Sequence, residues 1–506
     1  MSRIRRQSII ASIVIYIGFA IGLLNTYFFT KHGIRNFTPE QYGLTSIFIA
    51  IATMMMAFAS MAMPAYIYKF YHYYNDHLPP RKNDMITWAL IVSSIGFLFV
   101  VLAGWAFKDL VIRKFGEHSP MLLVYYNWIF PMGLGLTIYT VLESYTWNIG
   151  KPVLTNFLKE VQWRLLATVL IVLFFMNVIK DYDLFIKLYA FTYPAIAVTL
   201  FLYLVLTKKI HFTFRASKVS RRYLSKIAAL CAFVYSGTVI FTLSQVFDSI
   251  VIASVLQDGV AKAGIFGLAQ IFTSVIQAPQ RAIISASIPH LARAWKDKNM
   301  ASLQRIYERS SLNQFIFASG VFVLIALNYT ELIYTFNLKE DYLLGYHAFL
   351  LLGITRIIDM GTGVNSQIIG TSNYWKFDLL SGMVLLVLML PLTLLLTRRY
   401  DITGPAIANL VSISVYNLIR IIFLWKKFRL WPFTIQTLYT LLLAGGSCMI
   451  CYFLFRHVHG FGGMVLRCAA FILLYGAAVI GFRLSADIEP VLQTIRRRLG
   501  LIDRKE

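Results

Sequence analysis

Phe37-Thr38-Pro39-Glu40-Gln41-Tyr42-Gly43 opens the second long apolar run of this chain, and Gln257-Asp258-Gly259-Val260-Ala261-Lys262-Ala263-Gly264 opens the eighth. The two closing glycines stand 221 residues apart. Further on, Asn148-Ile149-Gly150-Lys151-Pro152 closes the fourth run and Ile368-Ile369-Gly370-Thr371-Ser372 closes the tenth, with Gly150 and Gly370 offset by 220 residues. Independent landmarks that agree to one residue read as an internal duplication. In a membrane chain this predicts two repeated bundles with a cavity between them, the architecture of alternating-access carriers.

The membrane reading rests on composition. Of 506 residues 58% are apolar and 14% charged, whereas charged residues make up about a quarter of a soluble protein. A helix needs about 20 apolar residues to cross roughly 30 Å of hydrocarbon. The first half holds such runs at 9–29, 44–67, 86–107, 121–147, 157–177 and 184–206. The second half repeats the count at 227–255, 263–291, 312–336, 343–369, 375–397 and 402–425, and 433–455 and 464–482 follow. The expectation is an all-α polytopic membrane protein of about 14 transmembrane helices, with two six-helix parallel-repeat lobes plus two C-terminal helices. An N-lobe over 1–207, a basic connector over 208–226, a C-lobe over 227–426, an added pair over 427–483 and a basic tail over 484–506 complete the division. The first run is too long for a secretory signal core and no small-residue cleavage site follows it, so it reads as a span.

The net charge of +24 follows from topology. A cytoplasmic N-terminus puts about 29 Lys and Arg on the cytoplasmic side against about 12 outside, with both termini inside. The connector contributes most, through Lys208, Lys209, Arg215, Lys218, Arg221, Arg222 and Lys226. Attraction to anionic membrane lipids accounts for this charge, and nucleic acid is not implied. Residues 293–309, basic with Trp295, Met300, Leu303 and Ile306 interspersed, read as a cytoplasmic helix lying partly on the membrane surface.

No catalytic motif is present. Cys448 and Cys451 form a C-x-x-C inside an apolar span without a second ligand pair, so neither zinc nor redox chemistry is expected, and Cys231 and Cys468 read as small apolar filler. Asp181-Tyr182-Asp183 matches the D-x-D of metal-dependent glycosyltransferases only weakly, on a loop placed outside. Nucleotide-binding and hydrolytic signatures are missing. The chain reads as a non-enzyme without cofactor or metal, driven by a proton or sodium gradient, a substrate gradient or a partner.

Ionisable side chains at membrane depth are the functional candidates, because each is costly unless it faces water or a partner. Arg356 lies mid-span with Asp359 one turn on; an intrahelical ion pair and a substrate contact are both consistent with this spacing. Arg281, between Pro279 and Pro289, has no carboxylate within one turn and sits where the helix should kink. Gln277, Asn365, Gln245, Gln270, Gln280 and Gln367 supply amides suited to sugar hydroxyls or to interhelical bridges. Glu143, Asp248 and Asp359 are candidates for ion coupling or for fixed counter-ions. Arg164, Arg420 and Arg467 read as interfacial anchors, with Glu160 as a second partner for Arg164. The tyrosines at 66, 68, 71, 73 and 74 read as an interfacial aromatic belt. Gly18 and Gly22, a G-x-x-x-G, allow close helix approach.

These residues carry a family resemblance. The Phe37–Gly43 loop is similar to the one that opens the second helix of polysaccharide flippases. Asp248 followed by Gly264-Ile265-Phe266-Gly267-Leu268-Ala269, Gly363-x-Asn365 with Ile368-Ile369-Gly370, and Asp401-Ile402-Thr403-Gly404-Pro405-Ala406-Ile407-Ala408 resemble later passages of the same family. Over nearly its whole length the chain resembles the Wzx-like, polysaccharide biosynthesis branch of the multidrug/oligosaccharidyl-lipid/polysaccharide (MOP, MATE-like) exporters. The resemblance implies flipping of a polyprenyl-diphosphate-linked oligosaccharide across the bacterial cytoplasmic (inner) membrane, for O-antigen, capsule or exopolysaccharide. Polysaccharide assembly proteins are the expected partners. A cation-coupled multidrug exporter of the same fold and a lipid-linked peptidoglycan precursor flippase are the alternatives. The resemblance itself assigns no role to Arg281, Arg356 or Asp248.

Overall fold

The computed structural model describes residues 3–32 and 36–485, which leaves the basic tail expected at 484–506 almost wholly outside the described residues. The chain runs through α1 (Arg3–Thr30), α2 (Pro39–Ala59), α3 (Met63–His77), α4 (Met85–Ala106), α5 (Lys108–Phe115), α6 (Pro120–Val124) and α7 (Ile129–Asn148). Next come α8 (Pro152–Asn156), a π-helical turn (Phe157–Gln162), α9 (Trp163–Phe175), α10 (Tyr182–Ala190), α11 (Thr192–Leu206), α12 (Lys218–Val255) and α13 (Gly259–Gln277). The remainder is α14 (Gln280–Lys296), α15 (Met300–Thr335), α16 (Tyr346–Gly361), α17 (Asn365–Gly370), α18 (Trp375–Tyr400), α19 (Thr403–Phe428), α20 (Ile435–Leu454) and α21 (Gly460–Gly481). Among the described residues, 12 helical stretches are long and apolar enough to cross a membrane. The fourth and fifth apolar runs, carried by α7 and by the stretch from α8 to α9, bring the number to about fourteen, each long enough to span. The protein is a multi-pass α-helical membrane protein.

Contacts group the chain into two compact units, Met1–Gly267 and Leu268–Glu506. In the first, α2 starts at a capping box. Gln41 N donates to Thr38 Oγ1 at 3.1 Å and Thr38 N donates to Gln41 Oε1 at 3.0 Å, with Pro39 at the first helical position; such a cap contributes about 1 kcal/mol. One turn into α2, Gly43 meets α13. A Cβ on Gly43 would lie 1.8 Å from Val260 O, and one on Gly264 would lie 2.9 Å from Gly43 Cα. The two landmark glycines of the sequence therefore touch. Gly18 and Gly22 do the same for α1, which lies against the π turn with Glu160 O 2.3 Å from where a Gly18 Cβ would stand.

Left-handed Met61 and Ala62 (φ 48° and 56°) end α2, and α3 restarts beyond them. The tyrosines of α3 do not form a single belt. Tyr66, Tyr71 and Tyr74 are buried while Tyr68 and Tyr73 are exposed, because helical periodicity turns alternate members inward. Tyr74 Oη lies 2.8 Å from Ser220 Oγ. The connector is also structured. Asp84 accepts from Ser217 N at 2.8 Å and Ser220 Oγ at 2.7 Å, Thr87 Oγ1 accepts from Thr213 N at 3.2 Å, and α12 already begins at Lys218. By repeat offset α12 opens the second half, yet it packs on α2, α3 and α5 of the first unit.

In the second unit α16 and α18 pack on α19, and α20 and α21 pack on α15. Val323, Cys451, Phe471 and Tyr475 form one apolar core there, with Cys448 partly buried against it. The amphipathic surface helix expected over 293–309 is not a single element. Left-handed Lys298 breaks it, Asn299 Oδ1 caps the next helix by accepting from Ser302 N at 2.9 Å, and residues from Met300 onward form the first turns of a 36-residue α15. Leu303 and Tyr307 point into a core with Leu291, Ile368 and Leu424 rather than onto a lipid surface.

Candidate functional site

The second unit contains two interrupted helices with polar side chains at the interruptions. The eighth apolar run breaks at Ala278–Pro279, between α13 and α14, since proline supplies no N–H to the ladder. The tenth run, read from sequence as one span over 343–369, breaks after Gly361. Gly363 adopts φ +65°, and a Cβ there would lie 2.8 Å from Ser310 Oγ, so this left-handed step belongs to glycine. Gln277 and Gln280 flank the first break, and Asp359, Thr362 and Asn365 flank the second.

These groups form one hydrogen-bonded chain. Gln277 Nε2 donates to Gln280 Oε1 at 2.7 Å, and Gln280 Nε2 donates to Asp359 Oδ2 at 3.2 Å. Asn417 on α19 donates from Nδ2 to Asp359 Oδ1 at 3.1 Å, and its own Oδ1 accepts from Asn365 Nδ2 at 2.8 Å and Thr362 Oγ1 at 3.0 Å. Asn365, Asn417 and Thr362 are buried. Each carboxylate oxygen of Asp359 thus takes an amide donor. The intrahelical pair with Arg356 does not form. Arg356, one turn earlier on α16 and partly exposed, makes no hydrogen bond or ion pair among the described residues.

One turn beyond Asn417, Arg420 corrects its sequence reading as an interfacial anchor. It is 3% exposed, pairs with Asp378 of α18, donates from Nε to Ser381 Oγ at 3.0 Å and lies 3.8 Å over the Tyr416 ring. Ser366 Oγ donates to the same Asp378 oxygen at 2.9 Å. Of the sequence candidates, Gln277, Asp359 and Asn365 therefore converge here, while Arg356 shares only the helix of Asp359. Arg281 follows Gln280 on α14, and its side chain lies outside the described residues. Sequence reasoning passed over Asn417 and the Arg420–Asp378 pair, although each is a polar residue inside an apolar run.

Glu143 and Asp248 belong to the first unit. Glu143, 6% exposed, accepts from Lys159 Nζ at 3.3 Å, which gives it the counter-ion arrangement, toward a lysine rather than an arginine. Asp248 is buried on α12. Arg164 pairs with Glu160, as its spacing allowed. Arg467 is more than an anchor, since it donates to Glu331 Oε2 at 3.1 Å, Leu327 O at 3.0 Å and Val458 O at 2.8 Å. Among the described residues no three His, Cys, Asp or Glu side chains gather in a metal-binding arrangement.

The model of a family described as polysaccharide biosynthesis protein matches residues 4–295. Among solved structures, the chain is similar to the lipid II flippase MurJ in an inward closed conformation, at 15% identity over 94% of this chain and 99% of that one, with a TM-score of 0.70. It is also similar to an inward-facing multidrug resistance MATE family transporter of the MOP superfamily, at 14% identity over 81% and 94% of the two chains and a TM-score of 0.66. A MOP superfamily transporter from Pyrococcus furiosus, reported with a binding pocket of reversed polarity, gives 16% identity, 84% and 95% coverage and a TM-score of 0.56. No curated protein matches. At these identities the likeness establishes the fold, that of the MOP transporters.

Proposed function

The chain belongs to the polysaccharide biosynthesis protein family, and from that premise we propose that it flips a polyprenyl-diphosphate-linked oligosaccharide from the inner to the outer leaflet of the bacterial cytoplasmic membrane, for surface polysaccharide assembly. The observation that carries this reading is Arg356, a guanidinium without an ion-pair partner among the described residues, one turn before Asp359 on the helix that the amides at two helix interruptions bind. An unpaired arginine at membrane depth is costly unless a ligand or water meets it. A diphosphate is the matching ligand, because guanidinium–phosphate bonds are charge-assisted and bidentate. Arg281, next in sequence to Gln280, would add a second cation. Gln277 and Asn365 suit sugar hydroxyls, and interrupted helices at mid-membrane are how transporters of other families build their sites.

Exposure of the site first to the cytoplasm and then to the outside would complete transport. Of the carboxylates, Asp359 is the better candidate for proton or sodium coupling, since Glu143 already faces Lys159. The basic residues assign both termini to the cytoplasm.

The test is surface polysaccharide in a strain carrying Arg356→Ala at wild-type membrane abundance. Loss of one charged hydrogen-bonding partner is worth about 1.5–3 kcal/mol, so export should fall by about ten- to a hundredfold, with Arg356→Lys recovering only part. Wild-type export by the alanine variant would end the proposal. A variant that instead blocks cell-wall precursor export would identify the peptidoglycan precursor as the cargo.

A further inference from the structure

A second polar pocket lies in the first unit. It has a volume of about 650 Å³ and is formed by the end of α3, the turn leading into α4, the end of α7 and the start of the connector. Tyr71 and Tyr145 line it, their rings edge-to-face at 5.8 Å. Its cationic groups are Lys208 and Lys209, His72 and His211 add imidazoles, and Asn75 and Asn148 add amides. Among the described residues, no Asp or Glu lines it.

The connector holds the two lysines at defined places. At the end of α11, Lys209 N donates to Leu204 O at 2.9 Å and Lys208 N donates to Val205 O at 2.9 Å, with Lys208 left-handed at φ 52°, the hydrogen-bond pattern of a Schellman stop. Tyr145 Oη then donates to Lys209 O at 3.1 Å and ties this corner to α7. Across the pocket Gly150, at φ +75°, bends the chain away and leaves open space where a side chain would stand. Among the described residues, the side chains of Lys208, Lys209, His72 and His211 make no hydrogen bond or ion pair with the protein. Two lysines and two imidazoles around a pocket with an aromatic and amide lining match the chemistry of a phosphorylated sugar, with Asp76 the nearby carboxylate, held by Asn75 Nδ2 at 3.5 Å.

We infer that this pocket binds the anionic head of a sugar diphosphate on the membrane face that the positive-charge asymmetry assigns to the cytoplasm, with phosphates on Lys208 and Lys209 and sugar hydroxyls on Asn75 and Asn148. A volume of about 650 Å³ lies in the usual range for small-molecule sites, roughly 300–1,000 Å³, and is ample for a diphosphate with one or two sugars. The same chemistry comes from two sources, a lipid-linked sugar diphosphate in the bilayer or a soluble nucleoside diphosphate sugar. The inference concerns binding and does not depend on Arg356 or on transport.

The experiment is equilibrium binding to the full chain in nanodiscs, with two probes: a short-chain prenyl diphosphate sugar in the bilayer and a soluble nucleoside diphosphate sugar. Lys208→Gln/Lys209→Gln is compared with Lys218→Gln/Arg222→Gln, which removes the same charge from equally exposed connector positions outside the pocket lining. The pocket variant should bind at least one probe about tenfold more weakly, as expected for lost charge-assisted bonds, while the control keeps wild-type affinity. Weakening confined to the bilayer probe assigns the pocket to the lipid-linked head, and weakening confined to the soluble probe assigns it to the free sugar nucleotide. Equal affinity of both variants for both probes, or equal weakening in the control, overturns the inference. Thermal melting of each variant, and His72→Gln as a single change remote from the connector, separate lost binding from lost folding. Failure here with an intact Arg356 phenotype would leave the transport proposal standing.

Discussion

At the scale of residues, the second unit separates two arginines that look alike in sequence. Arg420 is saturated by Asp378, Ser381 and the Tyr416 face, whereas Arg356 stands without a protein partner among the described residues. The first is structural. Arg420→Ala should destabilise the protein by about 3 kcal/mol, because removing one member of a buried pair strands the other charge; the measurement is the thermal unfolding midpoint in detergent. Arg356→Ala should leave that midpoint within error, and a large drop would show that Arg356 holds the fold rather than the cargo. Sequence located both guanidiniums but could not rank them. Spacing along one helix suggests Arg356–Asp359, yet the carboxylate is taken by Gln280 of α14 and Asn417 of α19, and cross-helix competition of that kind is invisible to a local pattern.

At the scale of elements, three of the landmark glycines whose spacing suggests a repeat differ in physical role. A Cβ at Gly43 would lie 1.8 Å from Val260 O, a Cβ at Gly150 would meet nothing but require φ +75°, and a Cβ at Gly370 would meet nothing within 4 Å. Gly43→Ala must push α2 and α13 apart and should cost the most, about 2 kcal/mol or more by overpacking. Gly150→Ala should cost about 1 kcal/mol from left-handed strain, and Gly370→Ala should be neutral or slightly stabilising. Membrane yield and melting of the three variants give the ranking, and equal stability of Gly43→Ala and Gly370→Ala would refute the close-approach argument. The spans were legible because runs of about 20 apolar residues have few other uses. The breaks were only half legible. Pro279 announced the first, while Gly363 gave the second as a glycine in an otherwise continuous run, and α15 absorbed the expected surface helix because Leu303 and Tyr307 found a core to enter.

At the scale of the whole molecule, the asymmetry of Lys and Arg predicts which loops face the cytoplasm. Lys298, between α14 and α15, should lie inside and Lys339, between α15 and α16, outside. In a chain whose four native cysteines are replaced, Lys339→Cys should react with a membrane-impermeant maleimide on intact cells and Lys298→Cys only after the membrane is opened. The reverse pattern would invert the topology and move the Lys208–Lys209 pocket to the outer face. The orientation is an expectation from composition alone, and this labelling is its test. The packing of α12 with the first unit was not readable, since a repeat offset records descent along the chain and says nothing about which neighbour a helix chooses.

Equivalent positions of a duplicated chain touch each other where the operation relating the copies brings a surface back onto itself, as self-contacts do on the dyad of a homodimer. Gly43 and Gly264, which the sequence offset suggests are equivalent, meet with backbone against backbone. Bulk is therefore forbidden on both sides of this contact at once, so a larger residue on one helix has no smaller partner left on the other to make room for it.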